Sequence, residues 1–232
     1  MLYKGGIIKM TILEAIKKRH SVRSYITKKI PEDIRQELTA AINACNKEGG
    51  LHMQLVTDDA DAFHTLLAHY GKFRNVRNYI ALIGPKTADL DEKIGYYGEK
   101  IVLQAQMLGL NTCWVALTFG RGAVRKKCEI KRGEKLVCVL ALGYGETQGE
   151  FHKVKKISEI CKNEMEMPKW YKTGLECALL APTAMNQQKF AFARDGSTVS
   201  VRSTGGVYSK IDLGIVKYHF EIGAGMENFQ WK

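Results

Sequence analysis

No apolar run in this chain approaches the roughly 20 residues that a bilayer-spanning helix needs, so no membrane span is expected. Zinc-ligand spacing is also missing. The six cysteines, Cys45, Cys113, Cys128, Cys138, Cys161 and Cys177, form no C-x-x-C pair and suggest no disulfide framework. His52, His64, His69 and His219 are scattered without a second ligand at metal spacing, which favours surface or packing roles. Gly143, Gly145 and Gly149 have the wrong spacing for a dinucleotide fingerprint. Residues 1–9 are too short for a signal peptide, whose apolar region alone takes about 7–15 residues. Apart from a faint echo between Ala40–Val56 and Cys177–Phe192, no repeat or low-complexity segment stands out. The formal net charge of +11 raises the question of nucleic acid. However, the lysines are scattered, the run from Lys153 to Lys156 is short, and no nucleic-acid motif accompanies them. Nucleic-acid binding therefore ranks low, and the cytoplasm is the default location.

What remains is an ordinary globular composition, 45% hydrophobic and 9% aromatic, in 232 residues. That length supports one sizeable core. Met1 and Met10 both offer a start; residues 1–9 read as an N-terminal extension and 10–232 as a single domain. Helical spacing covers Thr11–Arg19, Pro31–Lys47, Asp59–His69, Asp89–Leu108, Lys169–Leu180 and a last helix from Ile211. Strand-like runs cover Leu51–Thr57, Asn78–Gly84, Cys113–Phe119, Leu136–Gly143, Phe190–Arg194 and Thr198–Ser203, the last two turning at Asp195-Gly196. Helices and strands mix without strict alternation, which predicts an α+β fold.

Two stretches concentrate polar chemistry. Arg19-His20-Ser21-Val22-Arg23-Ser24-Tyr25 places two guanidiniums, an imidazole and several hydroxyls together after the first helix. The negative end of a helix dipole repels anions, so any phosphate held there depends on side-chain charge, which suits Arg19 and Arg23. Taken alone, these basic residues would simply complement the helix end. The second stretch, Ala181-Pro182-Thr183-Ala184-Met185-Asn186-Gln187-Gln188-Lys189-Phe190, ends a helix at proline. It can lay backbone against a flat ring while amides read the ring edge. Gly71-Lys72-Phe73-Arg74-Asn75 precedes a strand and could reach a phosphate or serve as a solvated turn.

Joined in order, these stretches resemble signatures of the FMN-dependent nitroreductase family. Arg19 to Arg23 followed by Tyr25 looks like its N-terminal phosphate-binding motif. Gly109-Leu110-Asn111-Thr112-Cys113-Trp114-Val115 is similar to its Gly-Leu-Gly-Thr-x-Trp segment, and Leu142-Gly143-Tyr144-Gly145 with Lys153-Val154-Lys155 to its late Leu-Gly-Tyr-Pro element and basic partner. The loop after Ala181 resembles its Ala-Pro-Ser-x-x-Asn-x-Gln-Pro-Trp loop. It stands near the C-terminus here, with Lys189 and Phe190 in place of Pro and Trp, which marks a divergent subgroup.

The resemblance implies a nitroreductase-like fold, a central mixed or antiparallel sheet flanked by helices, and a flavin site at a homodimer interface. Arg19, His20, Ser21 and Arg23 would hold the FMN phosphate and ribityl chain, with Lys153 or Lys155 as a second clamp. Trp114, Val115, Ala116 and Leu117 would pass the reactive edge of the flavin; Pro182, Thr183, Asn186 and Gln188 would contact its ring. The implied activity is ping-pong hydride transfer from NADH or NADPH through FMN to a small oxidised acceptor such as a nitroaromatic or quinone, with no essential side-chain acid or base. The alternatives are a flavin-binding redox sensor and another flavin reaction on the same fold, dehalogenation or flavin fragmentation.

Overall fold

The computed structural model describes residues 10–162 and 167–232, so the expected extension at residues 1–9 lies outside the described residues. Thr11 starts α1 (Ile12–Lys18) with the expected capping box, its hydroxyl accepting from the Glu14 amide while the Glu14 carboxylate accepts from the Thr11 amide. The amphipathic α2 (Glu32–Gly49) buries Leu38, Ile42 and Cys45 and stops at Gly50, whose φ of 64° suits glycine. It leads to β1 (Gln54–Val56).

The helix expected from Asp59 to His69 does not form in one piece. A 3₁₀ turn at Asp61–Phe63 is followed by the short α3 (Leu66–Tyr70). Asp58 is left-handed at φ 57°, and the Asp59 carboxylate accepts from the Asp61 amide and the Tyr79 hydroxyl. Those side-chain bonds compete with helical ones and pin the segment to the sheet. The chain then runs through β2 (Asn78–Pro85), α4 (Leu90–Met107) and β3 (Asn111–Val115). A helix without a sequence signal, α5 (Arg121–Lys127), precedes β4 (Glu134–Gly143). After α6 (Ile157–Ile160) come α7 (Lys169–Leu179), the hairpin β5 (Phe190–Asp195) and β6 (Thr198–Ser203), then α8 (Ser209–Ala224) and β7 (Gln230–Trp231).

The α+β pattern therefore holds, and its strands form two sheets. One is antiparallel in the order β1-β2-β4-β3; the other is β5-β6-β7, with β7 parallel to β6. The faint sequence echo maps onto α2–β1 and α7–β5, whose strands form edges of the two separate sheets. Both central strands of the first sheet are apolar because both faces are covered. Ile80 and Leu82 face the helices, whereas Tyr79, Ala81 and Ile83 face the second core under Phe63, Phe73 and Phe119.

The helical core centres on α4 against α8. A Cβ on Gly95 would lie 2.0 Å from the Ile211 carbonyl oxygen, and one on Gly214 would lie 2.0 Å from that of Glu92. Glycine at both positions lets the two backbones touch. This crossing brings the middle of α4 beside the middle of α8, and it sets up the buried polar contacts described below.

Candidate functional site

Arg19 ends α1 in extended conformation, and the basic segment runs on along the first sheet. Ser21 forms a parallel bridge to Thr112, Val22 donates its amide to the Thr112 carbonyl at 3.0 Å, and Ser24 bridges Arg74. Tyr25 is buried, bridges Gly145 and donates its hydroxyl to the Val22 carbonyl at 2.7 Å. The cluster thus begins at the helix end, as its sequence position suggests, and continues as a sheet-edge element beside β3.

Two adjoining cavities meet at this element. One, of about 240 Å³, has Ser21 and Arg23 on one side, 113–117 of β3 and its exit on another, and Pro182 to Met185 with Tyr208 and Asp212 opposite. The other, of about 640 Å³, is lined by 19–24, Lys72, Glu146 to Phe151 in part, His152, Pro182, Thr183, Met185 and Asn186. Ser21, Arg23, Pro182, Thr183 and Met185 line both. The N-terminal cluster and the C-terminal loop of the one chain thus line the same spaces. Leu117, Met185 and Val207 are exposed apolar side chains at the narrower cavity.

The loop 182–188 is strained. Met185, Asn186 and Gln188 have φ of 52°, 53° and 46°, a region that costs non-glycine residues of order 1–3 kcal/mol each. A dense set of bonds offsets that cost. The Gln188 amide group donates to the Lys153 carbonyl at 2.8 Å and to Asn186 Oδ1 at 2.9 Å, while its oxygen accepts from the Lys155 amide at 2.9 Å. Asn186 Nδ2 also donates to the Lys153 carbonyl, at 2.8 Å. Asp212, near the start of α8, accepts from the Ala184 amide at 3.0 Å and from Gln187 Nε2 at 2.7 Å.

Arg19, His20, Ser21, Arg23, Trp114, Val115, Ala116, Leu117, Pro182, Thr183 and Asn186 therefore line one cavity or both. Three expected site residues line neither: Gln188, Lys153 and Lys155. Gln188 is buried with its amide consumed by the loop, Lys155 Nζ donates to the Gln188 carbonyl at 2.9 Å, and Lys153 contributes its carbonyl rather than its charge. The backbone of a strained turn competes for these groups, and residue type alone does not reveal that competition. Lys72, held at φ 59°, is the lysine that lines the larger cavity, from the segment read as either a phosphate contact or a turn.

Arg19 is buried, and its Nε makes no hydrogen bond. It lies 3.8 Å from Glu99 Oε1. Glu99, fully buried on α4, accepts from Trp114 Nε1 at 2.9 Å and meets His219 Nε2 of α8 at 2.9 Å. Burial, with Arg19 adding to it, pushes the pKa of His20 down, so its ring is neutral near pH 7. Glu99, His152, His219 and Asp212 were not marked by the sequence as site residues. Glu99 lies on the buried face of α4, where a carboxylate needs partners; that is the signal which could have found it.

Burial pushes Asp212 up to about 6, although its two loop bonds pull the other way. In an unfolded chain an aspartate titrates near 3.9. The folded state thus holds this proton more tightly. Its stabilising contribution is complete below about pH 4 and disappears as pH rises through about 6. Asp212→Asn should flatten that decline, which is worth at most about 2–3 kcal/mol. Urea midpoints between pH 4 and 7 measure it; parallel slopes in both proteins would dismiss the assignment.

Among the described residues no group of side chains could hold a metal ion, and no helix is long and apolar enough to cross a membrane. A family profile described as "Putative TM nitroreductase" matches residues 11–224. No curated protein matches the chain. Among solved structures, a putative nitroreductase from Thermotoga maritima MSB8 is similar at 23% identity and a TM-score of 0.67, over 95% of this chain and 87% of that one. A putative nitroreductase from Desulfovibrio desulfuricans, in complex with FMN, is similar at 14% identity and a TM-score of 0.53, over 68% and 96%. A putative NADH dehydrogenase/NAD(P)H nitroreductase from Parabacteroides distasonis gives 19% and 0.52, over 67% and 98%. At these identities the structures establish the shared fold.

Proposed function

The chain belongs to the TM nitroreductase family, and from that premise we propose that it is an FMN-dependent oxidoreductase that passes reducing equivalents from NADH or NADPH to a small oxidised acceptor, a nitroaromatic or quinone among them. The observation that carries this reading is the cavity wall: Arg19, His20, Ser21 and Arg23 of the phosphate motif line one space together with Lys72. Two guanidiniums and an ammonium on one wall favour an anion by charge, and hydrogen bonds from guanidinium to phosphate are among the stronger ones. The residues present therefore fit the group.

When bound, FMN supplies the two-electron chemistry that serves donor and acceptor in alternate visits. The chain's own residues bind, orient and exclude. Arg19 and Arg23 would hold the phosphate, with Lys72 in the same cavity and Ser21 lining both spaces. Trp114 to Leu117 and Pro182 to Met185 line the narrower cavity, where a flat ring would meet a largely apolar surface. Trp114 is fixed in place by its bond to Glu99. The net charge of +11 steers anionic nicotinamide cofactors inward.

Residues from both ends of one chain line the cavities, so one FMN per chain is the expected stoichiometry. Purified protein should show flavin absorption bands, or gain them when FMN is added, and then oxidise NAD(P)H with a quinone acceptor. A colourless protein that does not bind FMN overturns the reading. Bound flavin that NAD(P)H leaves oxidised would move the assignment to a redox sensor.

A further inference from the structure

Arg19 is poorly arranged for an anion at first sight. A carboxylate 3.8 Å away, in an interior where charges are weakly screened, should cancel much of its charge. The hydrogen bonds around Glu99 remove that difficulty. His219 is fully buried, and its Nδ1 lies 3.0 Å from the Cys177 carbonyl oxygen, which can only accept. Nδ1 therefore carries a hydrogen. Nε2 lies 2.9 Å from Glu99 Oε1, while Glu99 Oε2 accepts from Trp114 Nε1.

Two bare lone pairs cannot face each other at 2.9 Å, so a proton lies between Nε2 and Oε1. Whether drawn as imidazolium and carboxylate or as imidazole and carboxylic acid, the pair is neutral. Oε1 is also nearer to His219 than to Arg19. Burial together with Arg19 pushes His20 and His152 toward neutrality, and burial pushes up the thiols of Cys113 and Cys177.

We propose that His219, through the proton it shares with Glu99, leaves the charge of Arg19 uncancelled and available to the phosphate group of the bound ligand. This inference rests on the flavin reading above. His219 lines neither cavity and acts through Glu99 and Arg19, so it is a positioning residue.

The experiment titrates FMN and riboflavin into apoprotein, read by flavin fluorescence, with inorganic phosphate as a third probe by thermal shift. His219→Gln can still donate to Glu99 but brings no charge, so the carboxylate turns on Arg19. FMN binding should weaken by about 10-fold or more, while riboflavin binding, which involves no phosphate, stays as in the wild type. Adding Glu99→Gln to His219→Gln removes the offending charge and should restore most of the lost FMN affinity. A purely structural pair predicts the reverse, with the double variant no better than the single one.

Three results overturn the proposal: unchanged FMN affinity in His219→Gln, equal losses for FMN and riboflavin, or no recovery in the double variant. If His219→Gln does not fold, Glu99→Gln alone decides the matter: riboflavin reports any disturbance of Trp114, and the charge account requires that FMN affinity relative to riboflavin not fall. A wild type that binds neither FMN nor phosphate overturns the flavin reading and this inference together. When the wild type binds FMN, a failure in the variants counts against the role of His219 alone.

Discussion

Arg19→Ala combined with Arg23→Ala is expected to weaken FMN binding by about 10²–10⁴-fold and to leave the fold standing. A hydrogen bond to a charged group contributes about 1.5–3 kcal/mol. Two such bonds amount to about 3–6 kcal/mol, and each 1.4 kcal/mol is a factor of ten. Survival of the fold follows from the surroundings of Glu99. Breaking a buried ion pair usually costs about 3–5 kcal/mol because it strands the other charge. Here Glu99 keeps the proton shared with His219 and the Trp114 indole, so little is stranded. Arg23 is exposed and its removal disturbs no core packing. Isothermal titration with FMN, alongside circular dichroism, measures both parts. Unchanged affinity would return the two arginines to decoration of a helix end.

Gly95→Ala is expected to destabilise the protein by about 3 kcal/mol or more, with Gly214→Ala behaving alike. In an isolated helix each change would help by roughly 0.8–1 kcal/mol. The contact across the crossing outweighs that gain. The new methyl would sit 2.0 Å from a carbonyl oxygen of the opposite helix, Ile211 in one case and Glu92 in the other. These are backbone atoms held in helices, with no side-chain rotation available to relieve them. Separation of α4 from α8 would also stretch the Glu99–His219 contact, so FMN affinity should fall together with stability. Urea unfolding of both variants is the check; alanine at either site with wild-type stability would show that the helices can part at little cost.

The residues that could be read in advance share one property: their signal is local. Leu38, Ile42 and Cys45 repeat at helical spacing, and the apolar runs around Ile80 and Leu140 have strand length. The same holds for Thr11 with Glu14 and for the Asp195-Gly196 turn. Where local signals competed, the expectation failed. Asp58 and Asp59 draw the chain out of the helix that the spacing around them suggests, because a carboxylate can cap a turn and bind Tyr79 at once. The exit of β3 at Val115 is similar: the apolar run continues to Phe119, but pairing with β4 stops at Val115–Val139, and beyond it the Arg121 guanidinium donates to the Leu136 and Val137 carbonyls of β4.

For the site, the basic heptad and the proline-led loop stood out by residue type, and both line the cavities. Lys155 and Gln188 are of equally suitable type, yet the strained turn consumes them. Composition and periodicity thus settled the α+β class, most of the helices and strands and the presence of a basic cluster, since each depends on neighbours a few residues apart. Folding alone could set the cluster against a loop more than 150 positions later and join Glu99 to His219 across 120 positions. Such contacts depend on which helix faces meet. That is decided here by two glycines whose missing side chains let α4 and α8 touch. A buried charge, moreover, acquires its meaning from its partners, and those partners come together only when the chain closes on itself.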